Sequence, residues 1–417
     1  MAKNVFITTN IFPPEIHPSG IMNSELAREL NKKGYEVTVV TCYPSHPKGV
    51  LFPGWKRTYF SITHNNDYDV VRGWHPILKN NNFIARIVKM VGQSLSFLSA
   101  IKVFKKPIII ISDGPPIFGS IISTILAKIY GAKTVIVVHD FVLDVIISQN
   151  WIMKTLADKM KNIEVFSYNI ANHIIVLSEG FRQIMIQENC IEESKVSIIP
   201  VWLDGHDIVP MDRHNAWRRE MNISPEKFVV LYAGTIGLVS GAEVVLEAAR
   251  LLKSFPDILF LFVGEGQIKD RLEVQGREMG LPNVRFLPFQ PRERLSEVQA
   301  TADLSLVTLA PGRGKTSVPS KVLGYMAAAR PVIAAVDVAC DTATTVRKAA
   351  CGLVVSPGQG HDLAEAVLHF YHNPGQRESW GKAGRQYFLQ HFERQVVIEK
   401  YLDLIEGLVP CNIYSFG

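Results

Sequence analysis

Short runs of β-branched and other apolar residues alternate with segments of helical periodicity along this chain, and this alternation constrains the fold more than any other feature. It predicts a parallel, doubly wound sheet, because parallel strands need long crossover connections that helices usually supply. The series stops once, in a polar stretch that runs from Gly205 through Pro210 to Pro225, and then begins again. Two α/β domains joined by a linker are therefore expected.

The predicted elements fall into two groups. In the first half, strands are expected at Val5–Thr9, Tyr35–Cys42, Ile108–Ser112, Thr134–Val138 and Ile174–Leu177, with helices from about Ile21 to Lys33, beyond Pro116 and from Met153. In the second half, strands are expected at Phe228–Ala233 and Ile258–Val263 and near Val284, Leu304 and Val332, with a helix at Ala242–Phe255. We place the domains at 1–205 and 206–392 and expect their open sheets to face each other across a cleft, since such sheets bind ligands beyond the carboxyl ends of their strands.

Composition narrows the possible functions. The 417 residues are 47% hydrophobic and carry a formal charge of only +5, which suits an ordinary two-domain protein and argues against binding of nucleic acid. The five cysteines are widely spaced and form no pair typical of a disulfide framework or a metal site, so a reducing compartment is expected. The first residues enter a strand-like run without a long apolar leader, and we therefore expect a cytoplasmic protein.

The loop after the first strand contains candidate binding residues. Ser19 and Gly20 lie where the next helix begins, and backbone amides and the helix dipole favour an anion at such a position. The alternative is a simple turn and helix cap, in which serine and glycine are both common. We assign Ser19 and Gly20 to binding of an anionic ligand, and Glu15 and His17 lie in the same loop.

A glycine-rich basic loop in the second half is another candidate phosphate site. Leu309 stands where the phosphate-binding loop of nucleoside triphosphatases requires glycine, so that activity is excluded. What remains is a flexible loop with a helix start behind it, which suits a diphosphate; the alternative is a solvated loop with an ordinary cap. The residues assigned to the site are Arg313, Lys315, Ser320 as a candidate cap, and Lys321.

His139 and Asp140 end a predicted strand of continuous β-branched residues. Their side chains should emerge at the carboxyl edge of the sheet, where α/β proteins bind ligands. A histidine there can orient a hydroxyl group or donate a hydrogen bond to a developing charge at neutral pH. A strand-end histidine is also often a satisfied structural group, so position alone leaves both roles open.

The segment from Phe83 to Phe104 is long and apolar, but the cations inside it oppose a transmembrane helix. Its pattern predicts an amphipathic helix at a membrane interface, with one broad apolar face and one cationic side. The residues predicted to contact the membrane are Arg86, Lys89, Lys102, Lys105 and Lys106. A helix packed on its own sheet with a wet cationic side would show the same pattern, and both descriptions can hold together.

A series of short motifs, taken in order, resembles the family-four, retaining glycosyltransferases of the GT-B fold, particularly those that build bacterial surface polysaccharides. The matching segments span nearly the whole chain. They are Pro13-Pro14-Glu15 with Ser19-Gly20, Leu26-Ala27 with Gly34 to Val40, Ser112 to Pro116, Val138-His139-Asp140, Leu177-Ser178-Glu179, Ile199 to Asp204, Tyr232 to Gly237, Val263 to Gly266, Pro319-Ser320-Lys321, Tyr325-Met326-Ala327 and Arg330 to Ile333.

This resemblance implies a transferase that moves a hexosyl or N-acetylhexosaminyl group, with retained configuration, from a UDP-linked donor to a lipid-linked or saccharide acceptor. It implies that no metal or other cofactor is used and that the protein lies peripherally at the inner face of the plasma membrane. It also implies that the last helical stretch, Arg394–Leu408 within 393–417, packs back on the first domain. Ser19 and Gly20 are expected near the donor diphosphate, and His139 with Asp140 near the transferred sugar. Glu15 and His17 are expected on the acceptor side.

Two rival functions remain open, a nucleotide-sugar epimerase on the same scaffold and a non-catalytic relative that binds a sugar or another transferase. The second rival arises because this chain departs from the family pattern. The family often has arginine and then lysine after the glycine that corresponds to Gly234, and it often has a pair of glutamates further on. At these positions this chain has Thr235 and Ser240, followed by Gly241, and then Thr316 and Gly324.

Because of these departures, the positive charge at the donor site has to come from other cations of the chain. We assign Gly234, Thr235, Ser240 and Gly241 to the donor site on the strength of the resemblance. A departing diphosphate needs positive charge for its stabilisation, so we expect Arg313, Lys315 and Lys321 to supply the charge that Thr235 and Ser240 lack.

Overall fold

The computed structural model describes residues 3–46, 49–56, 58–78, 83–103, 105–114, 117–141, 151–314 and 320–409. The chain divides into two compact units. Residues up to Ile199 and those from Ile398 onward form the first unit, and Pro200–Val397 form the second. The predicted boundaries at 205 and 392 lie a few residues from these positions.

The first unit is built on an eight-stranded sheet. Its strands are β1 (Lys3–Thr8), β2 (Tyr35–Cys42), β3 (Phe60–His64), β4 (Asp69–Gly73), β5 (Ile109–Asp113), β6 (Lys133–Val138), β7 (His173–Val176) and β8 (Val196–Ile198). Its helices are α1 (Pro18–Lys32), α2 (Phe83–Ser96), α3 (Ile117–Tyr130), α4 (Trp151–Ile170) and α5 (Glu179–Gln183), and a 3₁₀ segment, Phe97–Lys102, follows α2. The strand order is β3-β4-β2-β1-β5-β6-β7-β8, and only the β3-β4 edge pair is antiparallel.

The second unit is built on a six-stranded sheet that is parallel throughout. Its strands are β9 (Phe228–Ala233), β10 (Ile258–Val263), β11 (Val284–Leu287), β12 (Leu304–Thr308), β13 (Val332–Ala335) and β14 (Gly352–Val355). They follow the order β11-β10-β9-β12-β13-β14. Its helices are α6 (Ala216–Glu220), α7 (Glu243–Leu251), α8 (Lys269–Glu278), α9 (Leu295–Ala300), α10 (Lys321–Ala327), α11 (Asp341–Lys348), α12 (Gly360–His372) and α13 (Pro374–His391).

The central strands agree with the sequence pattern for a physical reason. A parallel strand covered by helices on both faces is apolar along its whole length, and β5 and β7 are buried at every residue. The ranges predicted for β2, β9 and β10 are those observed. The sequence pattern did not predict the pair β3-β4, because β3 is a mostly exposed edge strand without an apolar run.

The last helix, α14 (Arg394–Leu408), begins in the second unit and continues in the first. Ile398, Tyr401 and Ile405 are buried, and Lys33 of the first unit forms an ion pair of 2.9 Å with Glu399. Within the described ranges, no helix combines the length and the apolarity that crossing a membrane requires.

Candidate active site

The carboxyl edge of the first-unit sheet contains a buried carboxylate that contacts three polar side chains. Asp113 ends β5 and is 3% exposed. Its Oδ2 accepts hydrogen bonds from Asn23 Nδ2 at 2.6 Å and from Thr9 Oγ1 at 3.1 Å. Its Oδ1 accepts a short hydrogen bond from His139 Nε2. Residues at or just beyond the carboxyl ends of β1, β5 and β6 thus meet a residue of α1, as expected for a doubly wound sheet.

Asp113 decides the protonation of His139. Burial lowers the pKa of His139, but the charge of Asp113 and the hydrogen bond to it outweigh burial, and the pKa lies above its usual value. The bond to Asp113 also fixes the ring, with Nε2 as the donor and Nδ1 directed elsewhere. The imidazole is therefore an oriented hydrogen-bond donor whose protonated form is favoured by Asp113.

Asp113 is a site residue that the sequence reasoning did not single out. It stands directly after the predicted strand Ile108–Ser112, in a segment used only for the family resemblance. An acidic residue at the end of a buried strand is the available signal, but which side chain it meets depends on the pairing of β5 with β1 and β6.

Asp140 lies beside His139 and raises its pKa further. Its own pKa is raised, because burial disfavours the charged carboxylate. Asp140 also lines a cavity of about 10 Å³ together with Ser120, Glu164 and Ser167. Such a cavity holds about one water molecule.

The loop between β1 and α1 packs tightly around Gly20. A Cβ atom at Gly20 would lie 3.1 Å from the carbonyl oxygen of Ile11 and 3.3 Å from Cα of Phe12, so a side chain there would push α1 away from the loop. Ser19 Oγ lies 2.8 Å from His17 Nδ1. The start of α1 is thereby held close to the carboxyl end of β1.

Glu15 joins two loops of the first unit. The buried carboxylate accepts hydrogen bonds from the backbone amides of Phe12 at 3.3 Å, Ser45 at 2.8 Å and His46 at 2.7 Å. Both of its oxygens are engaged by the protein. Glu15 thus holds the loop after β1 against the loop after β2, and its predicted place on the acceptor side stays a prediction.

The donor-side residues of the second unit meet at the carboxyl end of β9. Lys321, the first residue of α10, extends over Gly234, whose φ of 121° suits glycine. The Lys321 ammonium donates a hydrogen bond to the carbonyl oxygen of Thr235 at 2.8 Å and a short one to the Tyr232 hydroxyl. It also lies 3.8 Å from the centre of the Tyr232 ring.

Burial lowers the pKa of Lys321 to about 7. Burial thus disfavours the charged form of the amine, and a nearby anion would favour it again. Its position matters because Thr235 stands where the resembled family often has arginine. The structure places a cation from α10 next to the residue that lacks one.

Ser240 and Gly241, which we assigned to the donor site, form contacts within the turn after β9. Ser240 Oγ donates to the carbonyl oxygen of Gly237 at 2.6 Å, and the carbonyl oxygen of Ser240 accepts from Thr308 Oγ1 at 2.5 Å. Gly241 has a φ of 59°, and a Cβ atom there would lie 2.7 Å from the amide nitrogen of Ala310. Only glycine fits at that point.

The glycine-rich loop differs from the predicted diphosphate cradle. Asp337 accepts hydrogen bonds from the backbone amides of Gly312 at 3.4 Å and Gly314 at 3.1 Å. Those two amides are therefore unavailable to a phosphate. Ser320 precedes α10 without forming a side-chain cap, Arg313 is half-buried, and Lys315 lies outside the described residues.

The cations predicted to contact a membrane occupy different environments. Lys89 is buried, contrary to the exposed position that we predicted. Lys105 lies 3.2 Å from Glu36 and 3.1 Å from Asp69, so two carboxylates offset its charge. Lys102 and Lys106 are exposed, and the side chain of Arg86 lies outside the described atoms.

No group of three metal-ligating side chains capable of holding a metal ion occurs in the part of the chain that the structure describes.

Both halves of the chain match sequence models of glycosyltransferase families. The sequence model of Glycosyltransferase Family 4 matches residues 20–204, and that of glycosyl transferases group 1 matches residues 214–387. A protein of Escherichia coli K12 named as the colanic acid biosynthesis glycosyl transferase WcaI is 25% identical over 331 residues, which cover 76% of this chain and 79% of the relative.

A second relative and a solved structure extend the comparison. The UDP-Gal:alpha-D-GlcNAc-diphosphoundecaprenol alpha-1,3-galactosyltransferase of Escherichia coli is 22% identical over 46% of this chain and 49% of the relative. The structure of sucrose-phosphate synthase from Thermosynechococcus elongatus superimposes with a TM-score of 0.78 and 18% identity, covering 97% of this chain and 99% of the other. With two Rossmann-like α/β units and matches to both family models, the chain is a GT-B enzyme of the glycosyltransferases, with a family-four amino-terminal part and a group 1 carboxyl-terminal part.

Proposed function

We propose that this glycosyltransferase acts in polysaccharide biosynthesis and moves a hexosyl or N-acetylhexosaminyl group, with retention, from a UDP-linked donor to a lipid-linked acceptor. The observation that carries the proposal is the hydrogen bond between His139 and the buried Asp113 at the carboxyl edge of the first-unit sheet. The relatives named for colanic acid biosynthesis and for a UDP-galactose reaction support the pathway and the donor.

In the proposed reaction, the bond between the anomeric carbon and the UDP oxygen breaks while the acceptor hydroxyl bonds to the same face of the sugar. The acceptor proton passes to the departing diphosphate oxygen, so the reaction balances without another reactant. His139, held by Asp113, donates a hydrogen bond to the sugar. Lys321 exchanges its bonds to Tyr232 and Thr235 for phosphate oxygens, and this protein cation takes the place of a metal ion.

The donor assignment is tested by a thermal-shift screen of UDP, GDP, ADP and CDP sugars, because a ligand that binds only the folded protein raises its melting temperature. We expect UDP and one UDP-sugar to stabilise the protein and the purified enzyme to release UDP slowly from that sugar. Stabilisation by another nucleotide would disprove the UDP assignment. Stabilisation without any UDP release would favour the non-catalytic rival.

We also propose that one face of the first unit contacts an anionic membrane. The exposed apolar residues of α2, α3 and the 3₁₀ segment include Leu95, Leu98, Ile101, Ile125 and Ile129, which are 43% to 69% exposed. The hydrogen bond from Tyr130 to the carbonyl oxygen of Ala100 places α3 beside the 3₁₀ segment. Residues 83–133 contain one acidic residue, the buried Asp113, so this face combines apolar side chains with lysines.

Replacement of Ile101 and Ile129 by glutamine is expected to weaken binding to phosphatidylglycerol vesicles about thirtyfold, since each side chain contributes on the order of 1 kcal/mol when it enters the apolar layer. Vesicle sedimentation measures this change. The matched control replaces Leu251 and Val274 of the second unit, which are 38% and 44% exposed, and should bind like the parent. Equal binding by all three proteins would exclude this face as the membrane contact.

A further inference from the structure

The loop after β2 and the strands β3 and β4 expose several large apolar side chains at one end of this strand pair. Val50 is 50% exposed, Tyr59 91% and Phe60 40%. Trp74, which directly follows β4, is 48% exposed. We call these four residues the edge patch. Single exposed apolar side chains are ordinary, but a group of them at one place marks a surface for a partner or a membrane.

The exposed side chains belong to a backbone that the fold holds in place. The amide of Trp74 donates a hydrogen bond of 2.9 Å to the carbonyl oxygen of Tyr59, and the amide of Trp55 donates one of 3.2 Å to that of Phe52. The buried guanidinium of Arg72 also stacks on the ring of Trp55, 4.8 Å from its centre. The folded protein therefore presents the edge patch without any rearrangement.

The edge patch lies at the same edge of the sheet as the proposed catalytic pair. Trp74 lies directly beyond the carboxyl end of β4, and the antiparallel strand β3 begins at that end because Phe60 pairs with Gly73. Asp113 and His139 lie at or just beyond the carboxyl ends of β5 and β6, which are parallel to β4 in the same sheet. A surface that covers the edge patch therefore runs along the edge at which we place the chemistry.

The two ends of the β3-β4 pair differ in charge. Residues 37–66 contain no aspartate or glutamate, and the exposed Lys56 lies in the loop that leads into β3. The turn at the opposite end contains Asp67, whose side chain is 53% exposed. An anionic surface thus meets a cation and apolar side chains at the first end and a carboxylate at the other, so it favours the first end.

The edge patch also adjoins the face that we propose to contact a membrane. Ile62 of β3 is 38% exposed and pairs with Val71, which packs against Phe97 of the 3₁₀ segment. The ammonium of Lys102, at the end of that segment, lies 6.0 Å from the centre of the Phe60 ring. Exposed apolar side chains thus continue from the 3₁₀ segment across β3 to the edge patch.

We propose that the edge patch enters the headgroup layer of an anionic membrane and turns the carboxyl edge of the first-unit sheet toward it. This inference rests on the proposed membrane contact and adds its orientation. Tryptophan and tyrosine favour the boundary between headgroups and acyl chains, because each combines an apolar ring with a polar group. Lys56 would then lie beside lipid phosphates. In this orientation, a lipid-linked acceptor reaches His139 along the membrane surface.

The inference is tested by sedimentation of the full chain with vesicles of phosphatidylcholine and phosphatidylglycerol. Replacement of Val50 and Tyr59 by serine is expected to weaken vesicle binding at least about tenfold, because both side chains lose most of their apolar area. Since both are exposed, the melting temperature and the Kd for UDP without vesicles should stay parental. The control replaces Leu251 and Val274 of the second unit by serine and should bind like the parent. Parental vesicle binding by the Val50 and Tyr59 double variant would overturn the inference.

Tryptophan fluorescence measures the orientation without weakening the binding. Phosphatidylcholine that is brominated near the headgroup end of its acyl chains quenches a tryptophan that reaches this depth. We expect the parent to be quenched and Trp74→Phe to lose about half of that quenching, because Trp55 and Trp74 both lie at this edge. Trp380→Phe, in the second unit, should be quenched like the parent. Quenching that is as strong in Trp74→Phe as in the parent would overturn the proposed orientation.

The two sets of vesicle-binding variants separate this inference from the proposed membrane face. We expect weaker binding in both the Ile101 and Ile129 variant and the Val50 and Tyr59 variant. Weaker binding in the first alone would leave the proposed face standing and overturn this inference. Absence of vesicle binding by the parent would contradict both membrane proposals, and the thermal-shift screen would still test the proposed donor.

Discussion

Replacement of Asp113 by asparagine is expected to slow UDP release from the donor sugar by a factor of about 10² to 10³ at neutral pH, within the range of general acid–base contributions. Asp113 raises the pKa of His139, so the parent keeps His139 protonated to a higher pH than the variant does. Loss of the carboxylate charge lowers that pKa. The pH above which the rate falls should therefore move down in Asp113→Asn.

The measurement is the pH dependence of kcat for UDP release, together with the Kd for UDP. Because Asp113 and His139 belong to the first unit and the proposed diphosphate ligand Lys321 to the second, UDP affinity should remain parental.

His139→Ala should also lower kcat while leaving the Kd for UDP unchanged. The double variant should be no slower than His139→Ala, because the two residues act as one group. Asp67→Asn, which changes an exposed carboxylate, serves as the control, and an unchanged kcat in Asp113→Asn would refute the role of the pair.

Replacement of Lys321 by alanine is expected to weaken UDP binding at least about tenfold, the loss typical of a hydrogen bond to a charged group. The amine is the described cation that contacts the Thr235 position, so its removal leaves the diphosphate without that charge. Calorimetry with UDP measures the change. Arg277→Ala, which removes an exposed cation of the same unit, should bind UDP like the parent.

The pH dependence of UDP affinity provides an independent test of Lys321. Its pKa of about 7 in the free protein means that the amine loses its proton as the pH rises above 7. UDP affinity should therefore fall between pH 7.5 and 9, approaching about tenfold per pH unit if the bound anion keeps the amine protonated. Lys321→Arg retains its charge and should show little change over this range. The prediction is wrong if the UDP affinity of the parent does not depend on pH and Lys321→Ala binds UDP as tightly as the parent. The diphosphate would then bind at a site that does not include Lys321.

The sequence by itself determined the class of fold and most of the central strands. Helix-covered parallel strands are continuously apolar, and the ranges predicted at Tyr35–Cys42, Phe228–Ala233 and Ile258–Val263 were those observed. It also identified His139 and Lys321 as candidate site residues. His139 lies directly beyond a strand and Lys321 at the start of a helix, which are the positions where α/β folds bind their ligands.

Only the tertiary structure decided which partners these residues have. Asp113 meets His139 because β5 pairs with β6, Lys321 reaches Thr235 because α10 begins beside the end of β9, and Asp337 occupies the amides of the glycine-rich loop. The periodicity of α2 indicated an amphipathic helix but not that Lys89 would face inward. Periodicity reports the local conformation of neighbouring residues, whereas hydrogen bonds, burial and pKa depend on groups brought together from distant parts of the chain.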